Sequence, residues 1–212
     1  MCPLIVRSTP SFELIPAGVH LAVCTGVFDL GTQHNAKFNT DGRKVLLTWE
    51  IPECRGKFER DGSMQELPLQ ISRTYTLTLN EKGNLHRDLT AWRGKPFTEQ
   101  ERSSFDLFNV LGAPCQLQIV HNESAEGRTY ANVSAVMALL GGTTPPRPEN
   151  PLLRFSFDED NPQIAVGTPE WVSALITASP EWPVLTNTSG EPARLAEPSG
   201  DSAREEDDDV PF

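Results

Sequence analysis

Five stretches of the chain place their apolar residues as β-strands do. VHLAVCTGVFDL (19–30) is dense in β-formers, with Gly26 available for a bend or bulge. In RKVLLTWEI (43–51), Val45, Leu47, Trp49 and Ile51 recur at period two and share one face, which makes Trp49 a core residue. LQISRTYTLTL (69–79) alternates most cleanly. Ser72, Thr74, Thr76 and Thr78 line one side, and Ile71, Arg73, Tyr75, Leu77 and Leu79 the other. CQLQIVH (115–121) and RTYANVSAVMAL (128–139) read as two further strands, joined by NESAEG (122–127) as a hairpin loop. The polar stretches 31–42 and 52–68 read as loops. Between the third and fourth strands the period changes. Leu85, Leu89 and Trp92 fall at i, i+4 and i+7, a helix that Gly94 ends, and Thr98 and Glu101 have the spacing of a capping box for a second, shorter helix.

Three strands, a helical insert and two strands form the element order of the OB-fold, a five-stranded Greek-key barrel. An SH3-like barrel or a β-sandwich would also accommodate these strands; the helix after strand three favours the OB-fold. The expected fold class is therefore mainly β, with an OB-fold body over residues 1–140. GGTTPPRPENP then reads as a Pro-rich linker, and residues 141–184 as an accessory segment. Within it LLRFSF (152–157) is a candidate edge strand. TPEWVSALITASPEW (168–182) predicts a short helix, with Thr168 as cap, Pro169 at the first position, and Trp171, Leu175 and Ala178 on one face, docked on the barrel or on a neighbouring subunit. Residues 185–212 are rich in Pro, Ser, Gly, Glu and Asp, and predict a disordered acidic tail.

Charge sharpens this division. The net charge is −11, but residues 1–140 hold 14 Lys and Arg against 15 Asp and Glu, whereas residues 141–212 hold 4 against 14. The body is nearly neutral and the acid sits in the last third, where like charges repel and stay solvated. Cys2, Cys24, Cys54 and Cys115 include no C-x-x-C, and His20, His34, His86 and His121 have no ligand spacing, so neither a metal nor another cofactor is expected. Free thiols suit a reducing cytoplasm. The first ten residues carry an apolar run too short for a secretory leader, and no window is long and apolar enough for a membrane span. Phosphate-loop, dinucleotide, zinc-protease and nucleophile-elbow motifs are missing, and no lysine follows an acid at two residues as in many nucleases. The expectation is a binding protein and not an enzyme.

Cations repeatedly stand beside rings, as in single-strand binding grooves, where basic residues meet phosphates and rings stack on bases. The pairs are Lys37-Phe38, Lys57-Phe58 with Arg60, Arg73 with Tyr75, and Arg128 with Tyr130, while Arg43 and Lys44 open the second strand. These eleven residues are the candidate DNA contacts. Tyr75 shares its face with Leu77 and Leu79, so it reads equally as core or as a base platform. Phe38 and Phe58 either touch nucleic acid or pin their loops to the barrel.

The most specific signal is Asp207-Asp208-Asp209-Val210-Pro211-Phe212. This run resembles the C-terminal tip of bacterial single-stranded DNA-binding proteins, with Val210 where isoleucine is common. The acids keep such a tip extended, Pro211 lowers the entropy lost on binding, and Phe212 offers a ring to an apolar pocket and a carboxylate to a cation beside it. The stretches SFELIPAGVHLAVCTGVFDLGTQ, RTYTLTLNEKGNLHRDLTAWRGKPFT and NPLLRFSF with TPEWVSALITASPEW resemble phage-encoded proteins of this size, so the chain as a whole resembles a phage single-stranded DNA-binding protein. The resemblance implies sequence-independent coating of single strands in replication or recombination, in the host cytoplasm, with the tip recruiting host replication or repair proteins. Self-association, as a dimer, is a further expectation. The rival reading is an adaptor or inhibitor that uses the tail to occupy such pockets without binding DNA.

Overall fold

The computed structural model describes residues 14–36, 39–60, 62–124 and 126–182. The candidates Lys37 and Phe38 and the whole acidic tail, Asp207–Phe212 included, lie outside them. Six strands form one sheet: β1 (Gly18–Asn35), β2 (Thr40–Arg60), β3 (Ser63–Thr76), β4 (Pro114–Glu123), β5 (Thr129–Met137) and β6 (Leu153–Phe155). Helices α1 (Asn84–Arg93) and α2 (Glu99–Ser104) stand between β3 and β4, and α3 (Glu170–Thr177) follows β6. The first five strands pair antiparallel in the order β3-β2-β1-β4-β5 and curl into a half-barrel.

The period-two face of β2 forms the inner core. Val45, Leu47, Trp49 and Ile51 pack with Ala22, Cys24 and Val27 of β1 and with Leu117, Ile119, Val133 and Val136 of β4 and β5. α1 closes one end of this core with Leu85, Leu89 and Trp92, and the Trp92 ring lies tilted on Trp49 at 6.1 Å between centroids. Gly94 ends the helix in the left-handed region, and Thr98 and Glu101 form the expected capping box. Arg93 binds Glu101 at 2.6 Å, and with the Thr98 backbone it holds that carboxyl down to about 2.

The outward face of β1 and β2 is buried too. Phe28, Leu30 and Leu46 make a second core with Phe155 of β6 and Val172 and Ile176 of α3. β6 runs parallel to β1 at Gly26–Phe28, on the strand edge that β4 leaves after Val23. The accessory segment thus docks on its own barrel. Its helix turns Val172 and Ile176 fully inward; of the expected face, Leu175 packs half-buried against the same core, whereas Trp171 and Ala178 are exposed. The cap is Pro169, one residue after the expected Thr168. The apolar residues of this helix surround most of its circumference, so the position of the second core chooses the inward pair.

Two carboxylates fasten the cover. Glu50, fully buried on β2, accepts from the backbone N–H of Glu149 at 2.6 Å and of Asn150 at 2.9 Å, and from Asn150 Nδ2 at 2.8 Å. Glu181 accepts from Thr32 N at 3.0 Å and Thr32 Oγ1 at 2.6 Å. Beside it Gly31 has φ +66°, and a Cβ there would stand 2.7 Å from Ser179 and Glu181 side-chain atoms, so both the bulge and the close approach require glycine.

Both expected long loops are largely strand. β1 continues to Asn35 and β2 begins at Thr40, so most of the expected loop over 31–42 is strand. The loop over 52–68 is a two-stranded ribbon paired from Arg55↔Pro68 to Arg60↔Ser63. A register irregularity between Ile51 and Arg55 absorbs Pro52, after which the ladder resumes to a turn at Gly62, φ +74°. A proline breaks one rung of a ladder, not the strand, when a bulge takes it up.

Two outcomes follow. Glu50→Ala leaves three donors of the linker without an acceptor, and the urea midpoint should fall by the equivalent of about 3 kcal/mol. An unchanged midpoint would show that the linker is not held there. For Glu181, burial raises the carboxyl pKa, but the Thr32 bonds and nearby Arg43 outweigh it and hold the pKa below its ordinary 4.5. A pKa lowered by folding gives stability that is full above the unfolded value and lost as pH falls through the folded one. Undocking of α3, read by tryptophan fluorescence, should therefore begin below about pH 4.5, and Glu181→Gln should flatten that profile.

Candidate nucleic-acid interface

The structure divides the candidate residues by what holds their charge. Arg43 reaches Asp29, with Nε at 3.1 Å from Oδ2, and its Nη2 binds Asp158 at 2.8 Å. Asp29 is buried, and its hydrogen bond raises the Arg43 pKa further. Arg73 Nη1 binds Asp88 at 2.8 Å and the Ser134 carbonyl at 3.3 Å, so one guanidinium links β3, α1 and β5. Tyr75 is 3% exposed, and its hydroxyl donates to the same Asp88 oxygen at 3.0 Å. Burial and the Asp88 charge push that phenol upward. Of the two roles open to Tyr75, this geometry is that of a core residue, with no ring face left for a base. Arg128 pairs with Glu126 at 2.6 Å on the β4–β5 turn. Tyr130 is 46% exposed at the start of β5, across from Asn122 on the outward face.

The ribbon carries three more candidates. Lys57 is exposed and stands opposite Glu66 in the ladder. Phe58 occupies the opposite face, with Leu67 and Leu69, and lines an apolar cleft with Leu14, Ile15 and Ala131. Arg60 ends β2, opposite Ser63. These residues do not converge with Arg73, Tyr75, Arg128 and Tyr130 on one surface.

A different set does converge. Every described arginine side chain except Arg147 is in an ion pair, whereas Lys44, Lys57, Lys82 and Lys95 form none among the described residues. Two of these lysines share a groove of about 630 Å³ lined by Lys44, Thr74, Tyr75, Thr76, Thr78, Asn80 and Lys82, with Gly83 and Asn84 of the α1 start at its end. Lys44 Nζ donates to Thr76 Oγ1 at 2.8 Å, which positions the ammonium over the strand end. The first turn of α1 holds no acid, so its partial positive charge adds to the two cations. Along β3 the outward row continues from Thr76 through Thr74 and Ser72 to Gln70, hydroxyls and an amide with no carboxylate. The β1–β2 ladder ends at Asn35↔Thr40, at the same end of β2 as Lys44.

Sequence reasoning singled out Lys44 and Tyr75 of this groove and missed Lys82, Thr74, Thr76 and Thr78. The signal was present in the all-hydroxyl face of the third strand, to which the alternation by itself assigns no role. Arginines were weighted equally with lysines, although a planar guanidinium is the cation that matches buried carboxylates.

Other chemistry is sparse. Burial pushes the Cys24 thiol up to about 12 and the Cys115 thiol well above its ordinary value. Cys54 lies 3.9 Å from His20 Nδ1, but burial and Glu53 raise it too, the reverse of an activated thiolate. Among the described residues no cluster of His, Cys, Asp and Glu could hold a metal, and no helix is long and apolar enough to cross a membrane. Comparison with protein-family models, with curated proteins and with solved structures finds no match.

Proposed function

We propose that the chain is a sequence-independent single-stranded DNA-binding protein built on an OB-fold, acting in phage DNA replication or recombination, and that Asp207–Phe212 docks on host replication or repair proteins. The strand order β3-β2-β1-β4-β5, with a helix between β3 and β4, supports the OB-fold reading. The observation that carries the function is the groove in which Lys44 and Lys82, with no acid partner among the described residues, flank a row of hydroxyls on β3.

The chemistry of that groove suits a phosphodiester chain. Each ammonium neutralises a phosphate and releases its condensed counterion. The threonine hydroxyls donate to phosphate or sugar oxygens, and none of these contacts reads a base, so binding is indifferent to sequence. Phe38, which follows β1 in the sequence, is the candidate ring on which a base could stack. The reading assigns no catalytic group.

The adaptor reading draws on one observation. Most arginines are consumed by internal carboxylates, which leaves few cations for DNA. Affinity for labelled oligo-dT decides between the two. The full chain should bind at low salt, with a log–log salt slope of about −0.7 per phosphate neutralised. Lys44→Ala with Lys82→Ala should flatten that slope by about 1.4 and weaken low-salt binding roughly tenfold. Absence of binding at low salt would establish the adaptor instead.

The tip is tested separately. Removing residues 207–212 should abolish capture of a purified host replication or repair protein that recognises the tip of bacterial single-stranded DNA-binding proteins. It should also raise oligo-dT affinity at low salt, because tethered acids compete for the lysine groove at high effective concentration. That gain should fade as the Debye length shortens from about 30 Å at 0.01 M to about 8 Å at 0.15 M salt. Equal partner binding by both forms would show that the likeness of the tip is accidental.

A further inference from the structure

The lysine groove ends on Gly83 and Asn84, and α1 carries its surface further. The helix buries Leu85, Asp88, Leu89 and Trp92 and leaves Asn84, Arg87 and Ala91 exposed, at i, i+3 and i+7 on one face. Lys95 stands exposed one residue past the Gly94 cap. Residues 82–95 hold four cations, Lys82, Arg87, Arg93 and Lys95, against one acid, in a chain of net charge −11. That acid, Asp88, is buried and shared by Arg73, Tyr75 and Arg87. The carboxylates around the helix are engaged too: Glu81 binds Arg102, and Glu101 binds Arg93. The next acid of the chain, Glu99, opens α2. Arg87 bonds Asp88 through Nε, yet its side chain is 59% exposed. The β3 row offers no such continuation. From Thr74 through Ser72 to Gln70 it holds no cation; beyond it Arg55 is taken by Glu66 and Glu149, and Lys57 stands across from Glu66.

We propose that the exposed face of α1 is a second phosphate-binding surface: a single strand held by Lys44 and Lys82 leaves the groove over this helix, with Arg87 and Lys95 on its phosphates. This surface presupposes the DNA-binding reading of the groove and fixes the path of the strand beyond it. Lys82 stands two residues before α1, so groove and helix face are continuous. The helix runs about 14 Å from Asn84 to Arg93 at 1.5 Å per residue, so Arg87 near its start and Lys95 past its end serve different phosphates. Arg87 has both Nη nitrogens left for phosphate oxygens after its Nε bond to Asp88, and Lys95 supplies a point charge. Ala91 between them adds no bulk that would hold a sugar–phosphate chain off the helix. Contacts of this kind neutralise phosphates and read no base.

Anisotropy of labelled oligo-dT with the full chain tests this path. Arg87→Ala with Lys95→Ala should flatten the log–log salt slope by about 1.4, in addition to the part carried by Lys44 and Lys82, and weaken low-salt binding roughly tenfold. Ala91 gives a second reading that leaves the Arg87 and Lys95 side chains in place. At about 0.15 M salt, where the Debye length is about 8 Å, Ala91→Lys should tighten binding about fourfold and Ala91→Glu weaken it about fourfold. The same two charges at Val166, fully exposed on the accessory segment, should change affinity less than about twofold, because salt screens a charge outside the contact. Circular dichroism and the urea midpoint of the Ala91 variants should stay those of the parent, since Ala91 is exposed and outside both cores. A parent-like slope for the Arg87 and Lys95 variant, or Ala91 charges acting no more strongly than those at Val166, would overturn the path. If Lys44→Ala with Lys82→Ala flattens the slope in that same experiment, the groove reading stands while the path over α1 falls. No binding by the parent at low salt would overturn both.

Discussion

The structure depends on one pair of strands that is buried on both faces. From Ala22 to Leu30 every residue of β1 is buried, and β2 matches it from Val45 to Ile51. One face builds the barrel interior around Trp49; the other builds the second core around Phe28 and Phe155. A strand pair with two apolar faces cannot leave either in water, so the accessory segment is part of the folding unit and not an appendage. This also explains why Glu50 tolerates complete burial. Its carboxylate does not meet apolar atoms alone but accepts three hydrogen bonds from the segment that covers it.

A second constraint is the opening between the edge strands. β3 and β5 end the hydrogen-bonded order and are not joined by a ladder. Asp88 on α1 serves in place of one. It gathers Arg73, Tyr75 and Arg87, and Arg73 passes on to a β5 carbonyl. A single buried carboxylate thus holds helix and both edges, and its bond from Tyr75 satisfies a hydroxyl that would otherwise be buried without a partner.

These two constraints allocate the cations. Guanidinium groups are drawn into carboxylate pairs on Asp29, Asp88, Glu101 and Glu149, where planar donors fit. Ammonium groups, strongly hydrated and compact, remain at the surface. The surface that results is uneven: a cationic groove with hydroxyls on β3, an uncharged face on β4 and β5, and an acid-rich last third of the sequence.

The sequence by itself determined the elements whose signals are local. The period-two face of β2, the helix of Leu85, Leu89 and Trp92 with Gly94 after it, and the capping box of Thr98 and Glu101 depend on neighbours a few residues away, and they stand where the pattern placed them. Only the tertiary structure decided the rest. Lys57 and Phe58 became strand because 55–60 found 63–68 across a turn, although the intervening Pro52 and Gly56 read as loop. Val172 and Ile176 faced inward because the second core lay on that side of α3. Arg43 and Arg73 became structural because carboxylates 14 and 15 residues away came within reach. Lys82 joined the groove because a turn carried it to the end of β3 beside Lys44. Periodicity encodes which face of an element is apolar, but a charge acquires its role from whatever the fold brings within a few ångströms, and that distance is not written in the local pattern.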